Sequence, residues 1–158
     1  NIVLIGMPSA GKTTVGQLLA RRTGKKFTDT DTLAEQRIGM TIADYFHTSG
    51  EEAFRAREQE TVAEVSAAGG QIIATGGGAI LRRENLTALR RNGLLVFLDR
   101  PIEQLTATVD RPLASDREAL RRRYEERYAL YRAAADVYIK NDGSPEEAAD
   151  QIERQWQI

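Results

Sequence analysis

Residues 6–13 carry the clearest chemical signal in the sequence. They read Gly-Met-Pro-Ser-Ala-Gly-Lys-Thr and fit the pattern G-x-x-x-x-G-K-S/T. The apolar run Ile2–Ile5 precedes them and residues with helical spacing follow, so a strand, a glycine-rich turn and a helix start come in the required order. Such a turn points successive backbone N–H groups at one anion, and the helix start adds positive partial charge. The segment predicts a site for the phosphates of a nucleoside triphosphate.

Two side chains of this segment have specific predicted roles. Lys12 can reach the β- and γ-phosphates, and the hydroxyl of Thr13 can coordinate Mg²⁺. The alternative is an ordinary strand–turn–helix corner with a surface lysine, but the four fixed positions coincide by chance only about a few times per hundred thousand starts. We therefore predict ATP as co-substrate, Mg²⁺ as cofactor and nucleotide contacts from the turn and the helix start: Gly6, Met7, Pro8, Ser9, Ala10, Gly11, Lys12, Thr13 and Thr14.

Two aspartates are spaced i, i+2 just past the end of a second short strand. Asp29 and Asp31 can face the same side, one toward a metal ion and one toward an acceptor hydroxyl. The alternative is a solvated turn in which an aspartate caps a helix. Asp99 is a further candidate for the metal, because an apolar strand that ends in Asp is typical of a Walker B aspartate.

An arginine falls on the apolar face of a predicted helix over Arg117–Ala134. Leu120, Tyr124 and Tyr131 share one face at 100° per residue, and Arg127 lies in the middle of it. Its charge requires an anion or a polar partner there. We expect the tyrosines of this helix, Tyr128 included, to serve mainly in packing.

A second helix, predicted over Glu51–Ala67, carries a carboxylate on its inward stripe. Glu58 shares that stripe with apolar residues such as Phe54, and Arg55 lies three residues before it. Glu58 can therefore hold Arg55 in position as a supporting partner. The alternative for both arginines, Arg55 and Arg127, is a buried structural ion pair.

Composition limits the class of protein. The 158 residues suffice for one domain with a real core, and we treat residues 1–158 as one domain. No apolar stretch approaches the roughly 20 residues of a membrane span, and a net charge of −1 gives no reason to expect nucleic acid. The absence of cysteine fits the cytoplasm. The chain starts inside a strand, so we expect a few residues to precede it.

The chain alternates between strands and helices. Strands are predicted at Ile2–Ile5, Lys25–Asp29, Gln71–Ala74, Leu94–Leu98 and Val137–Lys140. Helices are predicted at Lys12–Thr23, from Asp31 or Thr32 to Arg37, and at Thr41–Phe46, Glu51–Ala67, Arg82–Arg91, Pro101–Val109, Arg117–Ala134 and Pro145–Trp156. Five strands separated by helices predict an α/β fold with a parallel sheet covered on both faces. Ligands of such sheets bind at the carboxyl ends of the strands, so the candidate residues should meet at one rim.

Several segments together resemble the shikimate kinase family over essentially the full length. They are GMPSAGKTT, the Phe27–Asp31 segment FTDTD, the Gly50–Glu58 segment GEEAFRARE, the Thr75–Gly78 segment TGGG, Arg111-Pro112-Leu113 and the Arg127–Tyr131 segment RYALY. The resemblance implies a three-layer α/β/α fold like that of the P-loop nucleoside monophosphate kinases, with strand order 2-3-1-4-5 and a lid at about residues 110–118. It also implies substrate-binding helices at about residues 31–66 and transfer of the ATP γ-phosphoryl group to the 3-hydroxyl of shikimate.

The resemblance also implies roles for individual residues. Asp29 lies on the Mg²⁺ side, with Asp99 as the second candidate, and Asp31 binds the shikimate hydroxyls and orients or deprotonates the attacking one. Arg111 in the lid reaches the phosphates as a catalytic residue. The shikimate-binding residues are Asp31, Arg55, Gly76, Gly77, Gly78 and Arg127, with Glu58 behind Arg55. The alternative for the three glycines is a plain flexible turn.

The sequence departs from the family in two places, the segment before the lid and the lid itself, which is abbreviated. Leu105–Asp110 is short and lacks the arginine that contacts adenine in the family, so the way the base is held is open, with Pro145 as one predicted contact. Two other functions remain as alternatives: another small-molecule P-loop kinase, for gluconate or a nucleoside monophosphate, and a nucleotide-dependent switch without turnover. We expect a monomer whose partners are ATP and shikimate.

Overall fold

The computed structural model describes residues 1–106 and 114–156. Arg111 and residues 110–113 of the predicted lid lie outside the described residues, and residues 114–118 belong to a helix. Among the helices of the described part, none is both long enough and apolar enough to cross a membrane.

Five parallel strands form one sheet in the order β2-β3-β1-β4-β5. Their bounds are β1 Ile2–Ile5, β2 Lys26–Asp29, β3 Gln71–Ala74, β4 Leu94–Asp99 and β5 Val137–Lys140. The central strand β1 pairs with β3 and β4 on its two sides, and every residue of β1 and β3 is buried. Continuous apolar runs are typical of parallel strands covered on both faces, so the predicted strand order and sheet type are confirmed.

The helices lie on both faces of this sheet. Their bounds are α1 Lys12–Thr23, α2 Thr30–Ile38, α3 Ile42–Ser49, α4 Glu51–Ser66, α5 Arg83–Arg91, α6 Ile102–Thr106, α7 Ala114–Ala134 and α8 Pro145–Trp156, with a 3₁₀ turn at Ala79–Leu81. Alternate residues of the strands face opposite layers. One layer packs Val3, Ile5, Leu95 and Phe97 against α4, α5 and α7; the other packs Ile2, Leu4, Val96 and Leu98 against α1 and α8. The three-layer α/β/α architecture is confirmed.

Five predicted helix starts are corrected by the structure, and two of them, predicted at Arg82 and Pro101, move by one residue to Arg83 and Ile102. The second helix begins at Thr30, and its cap is Asp29 rather than Asp31 or Thr32, because an oxygen of Asp29 accepts the N–H groups of Asp31 at 2.9 Å and of Thr32 at 3.2 Å. The third begins one residue late, at Ile42, because the Thr41 hydroxyl caps it. The helix predicted from Arg117 already begins at Ala114.

Candidate active site

The rim at the carboxyl ends of the strands has two halves on either side of β1. The β2–β3 half consists of residues 29–31 and 75–78, which follow β2 and β3. The β4–β5 half consists of residues 99–100 and 141–145, at the ends of β4 and β5. A cavity of about 280 Å³ lies where the glycine-rich loop meets the β2–β3 half, and its lining comprises Pro8, Ser9, Ala10, Gly11, Lys12, Thr13, Thr14, Asp29, Asp31, Thr75 and Gly77. The predicted loop and aspartates therefore meet around one space.

Lys12 is buried inside its own loop. Its ammonium group donates to the carbonyl oxygens of Gly6 and of Met7, the latter at 3.0 Å, and the residue is 8% exposed. Burial lowers the pKa of Lys12 to about 8, and the nearby carboxylates of Asp31 and Asp29 oppose that shift. The amine therefore lies between the loop and the two aspartates, where phosphate oxygens can replace the carbonyls as acceptors.

Thr13 and Asp29 place a hydroxyl and a carboxylate side by side at the edge of the cavity. The Thr13 hydroxyl donates to Asp29 Oδ2 at 3.0 Å, while Oδ1 of the same aspartate caps α2. The described residues contain no group of three acidic or histidine side chains that could hold a metal ion by themselves. A hydroxyl and a carboxylate nevertheless fit Mg²⁺, which commonly takes its remaining ligands from phosphate oxygens and water.

Asp99, the second candidate for the metal, accepts hydrogen bonds from two tyrosines. Its Oδ1 accepts the Tyr124 hydroxyl at 2.8 Å and its Oδ2 accepts the Tyr138 hydroxyl at 2.6 Å, and the residue is 7% exposed. Burial, together with these bonds to Asp99, raises the pKa of both tyrosines. The geometry favours Asp29 over Asp99 beside the metal, and that assignment stays a prediction.

The three glycines permit a close approach of three functional side chains. A Cβ atom at Gly76 would overlap the carboxylate of Asp31, and one at Gly78 would overlap the guanidinium of Arg55. At Gly77 it would lie 3.3 Å from Nη1 of Arg127. The glycines are therefore more than a flexible turn, because a side chain at Gly76 or Gly78 would displace a charged group of the site and one at Gly77 would overlap Pro8 of the loop.

Two hydrogen bonds fix this glycine segment. The Tyr131 hydroxyl donates to the Gly77 carbonyl at 2.6 Å, and the Gly76 N–H donates to the Thr30 hydroxyl at 3.3 Å. The sequence predicts mainly a packing role for Tyr131, and it does pack against Phe97 with 5.1 Å between ring centroids. The missed signal is its hydroxyl, since a tyrosine on a buried stripe needs a polar partner.

Arg55 is held by a buried carboxylate, as the spacing on α4 predicts. Its Nη1 lies 2.8 Å from Glu58, which is 2% exposed, and Glu51 contacts the guanidinium from the solvent side at 3.4 Å. The rings of Phe46 and Phe54 lie 5.9 and 5.5 Å from the guanidinium carbon. Carboxylates and ring faces thus fix the guanidinium beside Gly78.

Asp31 lies in a strongly polar but shielded position. Burial raises its pKa to about 6, the negative charges of Glu58 and Asp29 add to that rise, and Lys12 opposes it. A carboxylate with such a pKa is suited to accept a proton near neutral pH. Asp31, Arg127 and Arg55 thus lie against three consecutive residues, Gly76, Gly77 and Gly78, of which Gly77 lines the phosphate cavity together with Asp31, and Pro145 begins α8 on the other half of the rim.

Comparison with known proteins agrees with this geometry. The family model for shikimate kinase matches residues 8–157. A shikimate kinase of Moorella thermoacetica is 48% identical over 152 residues, which are 90% of this chain and 86% of that protein. One from Clostridium botulinum is 36% identical over 157 residues, covering 97% and 94%.

A solved structure adds the same result in three dimensions. The shikimate kinase from Acinetobacter baumannii in complex with shikimate matches with a TM-score of 0.92 and 36% identity, over 99% of this chain and 92% of that one. Sequence, family model and fold agree over nearly the whole length. This chain belongs to the shikimate kinase family.

Proposed function

We propose that this protein transfers the γ-phosphoryl group of ATP to the 3-hydroxyl of shikimate, giving shikimate 3-phosphate and ADP. The observation that carries the proposal is the meeting of Asp31, Arg55 and Arg127 at the glycine segment, next to the phosphate cavity. A carboxylate can orient and deprotonate a hydroxyl group, and two guanidinium groups can bind a carboxylate. Shikimate carries both functional groups.

The glycine-rich loop binds the phosphates in this proposal. Backbone N–H groups from Ser9 to Thr14 face them, and Lys12 turns from the carbonyls of Gly6 and Met7 to the β- and γ-phosphates. Thr13 and Asp29 hold Mg²⁺, which neutralises charge on the β- and γ-phosphates when it is bound. Arg111 contacts the same phosphates from the lid.

Asp31 serves the acceptor. Its carboxylate accepts a hydrogen bond from the 3-hydroxyl, orients that oxygen toward the γ-phosphorus and takes its proton as the new P–O bond forms. With a pKa of about 6 the group is mostly ionised at pH 7.5 and is still basic enough for this task. Arg55 and Arg127 bind the carboxylate of shikimate, Glu58 positions Arg55, and Gly76, Gly77 and Gly78 let the ring approach the backbone.

One assay tests the function. ADP release from ATP is followed with shikimate, gluconate, AMP or no acceptor, and the Lys12→Ala variant serves as the control for contaminating kinases. We expect stimulation by shikimate alone. Stimulation only by gluconate or AMP would mean another small-molecule kinase, and ADP binding without stimulation by any of them would mean a nucleotide switch.

We further propose that the enzyme works as a cytoplasmic monomer. All the side chains of the proposed site come from one chain, and the sequence has no cysteine. Light scattering after size exclusion, with and without substrates, tests the oligomeric state. A dimer at micromolar concentration would contradict this part of the proposal.

A further inference from the structure

The strand order assigns the two ends of ATP to different halves of the rim. The acceptor groups Asp31 and Gly76–Gly78 follow β2 and β3, on one side of the central strand β1. A nucleotide whose γ-phosphate points at Asp31 must extend its nucleoside end the other way, along the loop toward β4 and β5. The residues that meet this end therefore follow β4 and β5.

Two side chains from that half lie against Gly11 of the loop. A Cβ atom at Gly11 would lie 3.0 Å from Nδ2 of Asn141, after β5, and 3.8 Å from Nη1 of Arg100, after β4. The Asn141 amide is fixed, because it donates to the Ala10 carbonyl at 2.8 Å and is buried. Arg100 and Asn141 thus flank the outer side of the loop, and neither lines the phosphate cavity.

Arg100 differs from the other arginines of the site. Its Nε is shielded from solvent and has no hydrogen-bond partner. Within residues 1–106 and 114–156, no carboxylate forms an ion pair with Arg100, whereas Arg55 contacts two. A shielded guanidinium N–H such as this Nε, which has no hydrogen-bond partner among the described residues, costs free energy, and such a cost is typical of a group that meets its partner in a ligand.

The part of the nucleotide that Arg100 contacts can be inferred from the groups that already surround the phosphates. Loop amides, the helix start and Lys12 serve the phosphates inside the cavity, and Arg100 is not among the residues that line it. A guanidinium is planar and stacks on aromatic faces, where it also makes cation–π contacts. The aromatic part of ATP is its purine ring, which leaves the loop on the side of Arg100.

We propose that Arg100 binds the adenine ring of ATP by stacking its guanidinium group on the ring. The proposal rests on the proposed ATP-dependent function and answers how the base is held when the segment 105–110 offers no arginine. Arg100 acts on nucleotide affinity and has no part in binding shikimate.

Calorimetric titration with ADP and with pyrophosphate, both with Mg²⁺, tests the proposal. Arg100→Ala should weaken ADP binding roughly three- to thirtyfold, the range expected for a contact between a guanidinium and a ring face, and should change pyrophosphate binding less than twofold. Arg100→Lys keeps the charge without the plane and should recover only a small part. Arg22→Ala removes an arginine at the far end of α1, paired with Asp150, and is the matched control with unchanged ADP binding.

Three outcomes separate this proposal from the function itself. Unchanged ADP binding by Arg100→Ala, or equal losses for ADP and pyrophosphate, would overturn the stacking role while the function stands. A wild-type protein that binds neither ligand would overturn the proposed function instead. If Arg100→Ala fails to fold in circular dichroism, Arg100→Gln takes its place, with the same expected loss for ADP alone.

Discussion

The two halves of the rim are built differently. In the β2–β3 half the functional side chains are already fixed by protein partners: Thr13 bonds Asp29, Glu58 holds Arg55, and Tyr131 holds the glycine segment. In the β4–β5 half, Asp99 is bound by two tyrosines and Arg100 has an Nε without a partner. The comparison teaches that the proposed acceptor side is preorganised, and preorganised groups stabilise charge that develops in the transition state. Changes there should therefore affect turnover and shikimate more than nucleotide affinity.

Asp31→Asn should have the largest effect. It removes the proton acceptor and leaves the loop intact, so we expect kcat to fall by at least about a hundredfold while ADP binding changes little. Steady-state kinetics and ADP titration measure both. Lys12→Ala is the contrasting variant, because it should weaken nucleotide binding and turnover together. A near-normal kcat in Asp31→Asn would show that Asp31 is not the proton acceptor. The difference between the two halves of the rim would then have no consequence for turnover.

Arg127→Lys should have the second-largest effect on catalysis. A lysine cannot form the two parallel N–H···O bonds of a guanidinium with a carboxylate, and a charge-assisted bond contributes about 1.5–3 kcal/mol. We expect kcat/KM for shikimate to fall roughly ten- to a hundredfold with little change in the KM for ATP, and Arg55→Lys should behave alike. Thermal melting accompanies the kinetics: a large drop in Tm with unchanged shikimate saturation would mean a structural ion pair.

The pH dependence of the reaction should report Asp31. Its pKa of about 6 means that kcat/KM for shikimate falls about tenfold between pH 7 and pH 5, as the carboxylate takes up a proton. Melting at both pH values excludes unfolding as the cause. A flat profile down to pH 5 would show that the carboxylate of Asp31 is not required in its ionised form.

The raised pKa of Asp31 also makes the free energy of unfolding depend on pH. Because the folded state raises the pKa of Asp31, its contribution is most favourable below pH 4, and it is lost as the pH rises through about 6. Near neutral pH the ionised carboxylate of Asp31 therefore lowers the free energy of unfolding. Asp31→Asn should raise Tm by about a few degrees at pH 7.5, and less at pH 5, in calorimetric melts.

Glu58→Gln should have the smallest effect of the series. The amide can still accept a bond from Arg55, but it loses the charge that fixes the guanidinium. We expect a loss of a few-fold, at most about tenfold, in kcat/KM for shikimate with kcat nearly unchanged. Glu60→Gln, on the exposed face of the same helix, is the matched control. A loss as large as that of Arg127→Lys would make Glu58 more than a positioning residue.

The β2–β3 half could be predicted because its residues carry local signals. The spacing of Phe54 and Glu58 puts a carboxylate on the buried face of a helix, and Arg55 lies three residues from it. Likewise Arg127 shares a stripe with Tyr131, and both reach the glycine segment. Helix periodicity placed the arginines on inward helix faces and the strand-end rule placed the aspartates and glycines at one rim, whereas the meeting of the two sets was implied by the family resemblance.

The other half depends on contacts between distant residues. Asp99 bonds Tyr124 and Tyr138, which lie 25 and 39 residues away, and an apolar strand that ends in Asp looks the same whether the Asp serves a metal or two phenols. Arg100 belongs to no motif, so only its position beside Gly11 singles it out. Capping was also mispredicted, because Asp29, Asp31 and Thr32 are all good caps by type and the backbone path selects Asp29.

The buried position of Lys12 has a consequence for the heat of nucleotide binding. With a pKa of about 8, close to half of the molecules hold a neutral amine at pH 8, and nearby phosphates favour the charged form. Binding of ADP at pH 8 should therefore draw roughly half a proton from the buffer. The measured enthalpy should then differ between phosphate and Tris in proportion to their ionisation enthalpies, and the difference should vanish in Lys12→Ala. The Lys12 amine would thus take up a proton whenever a nucleotide binds to the loop.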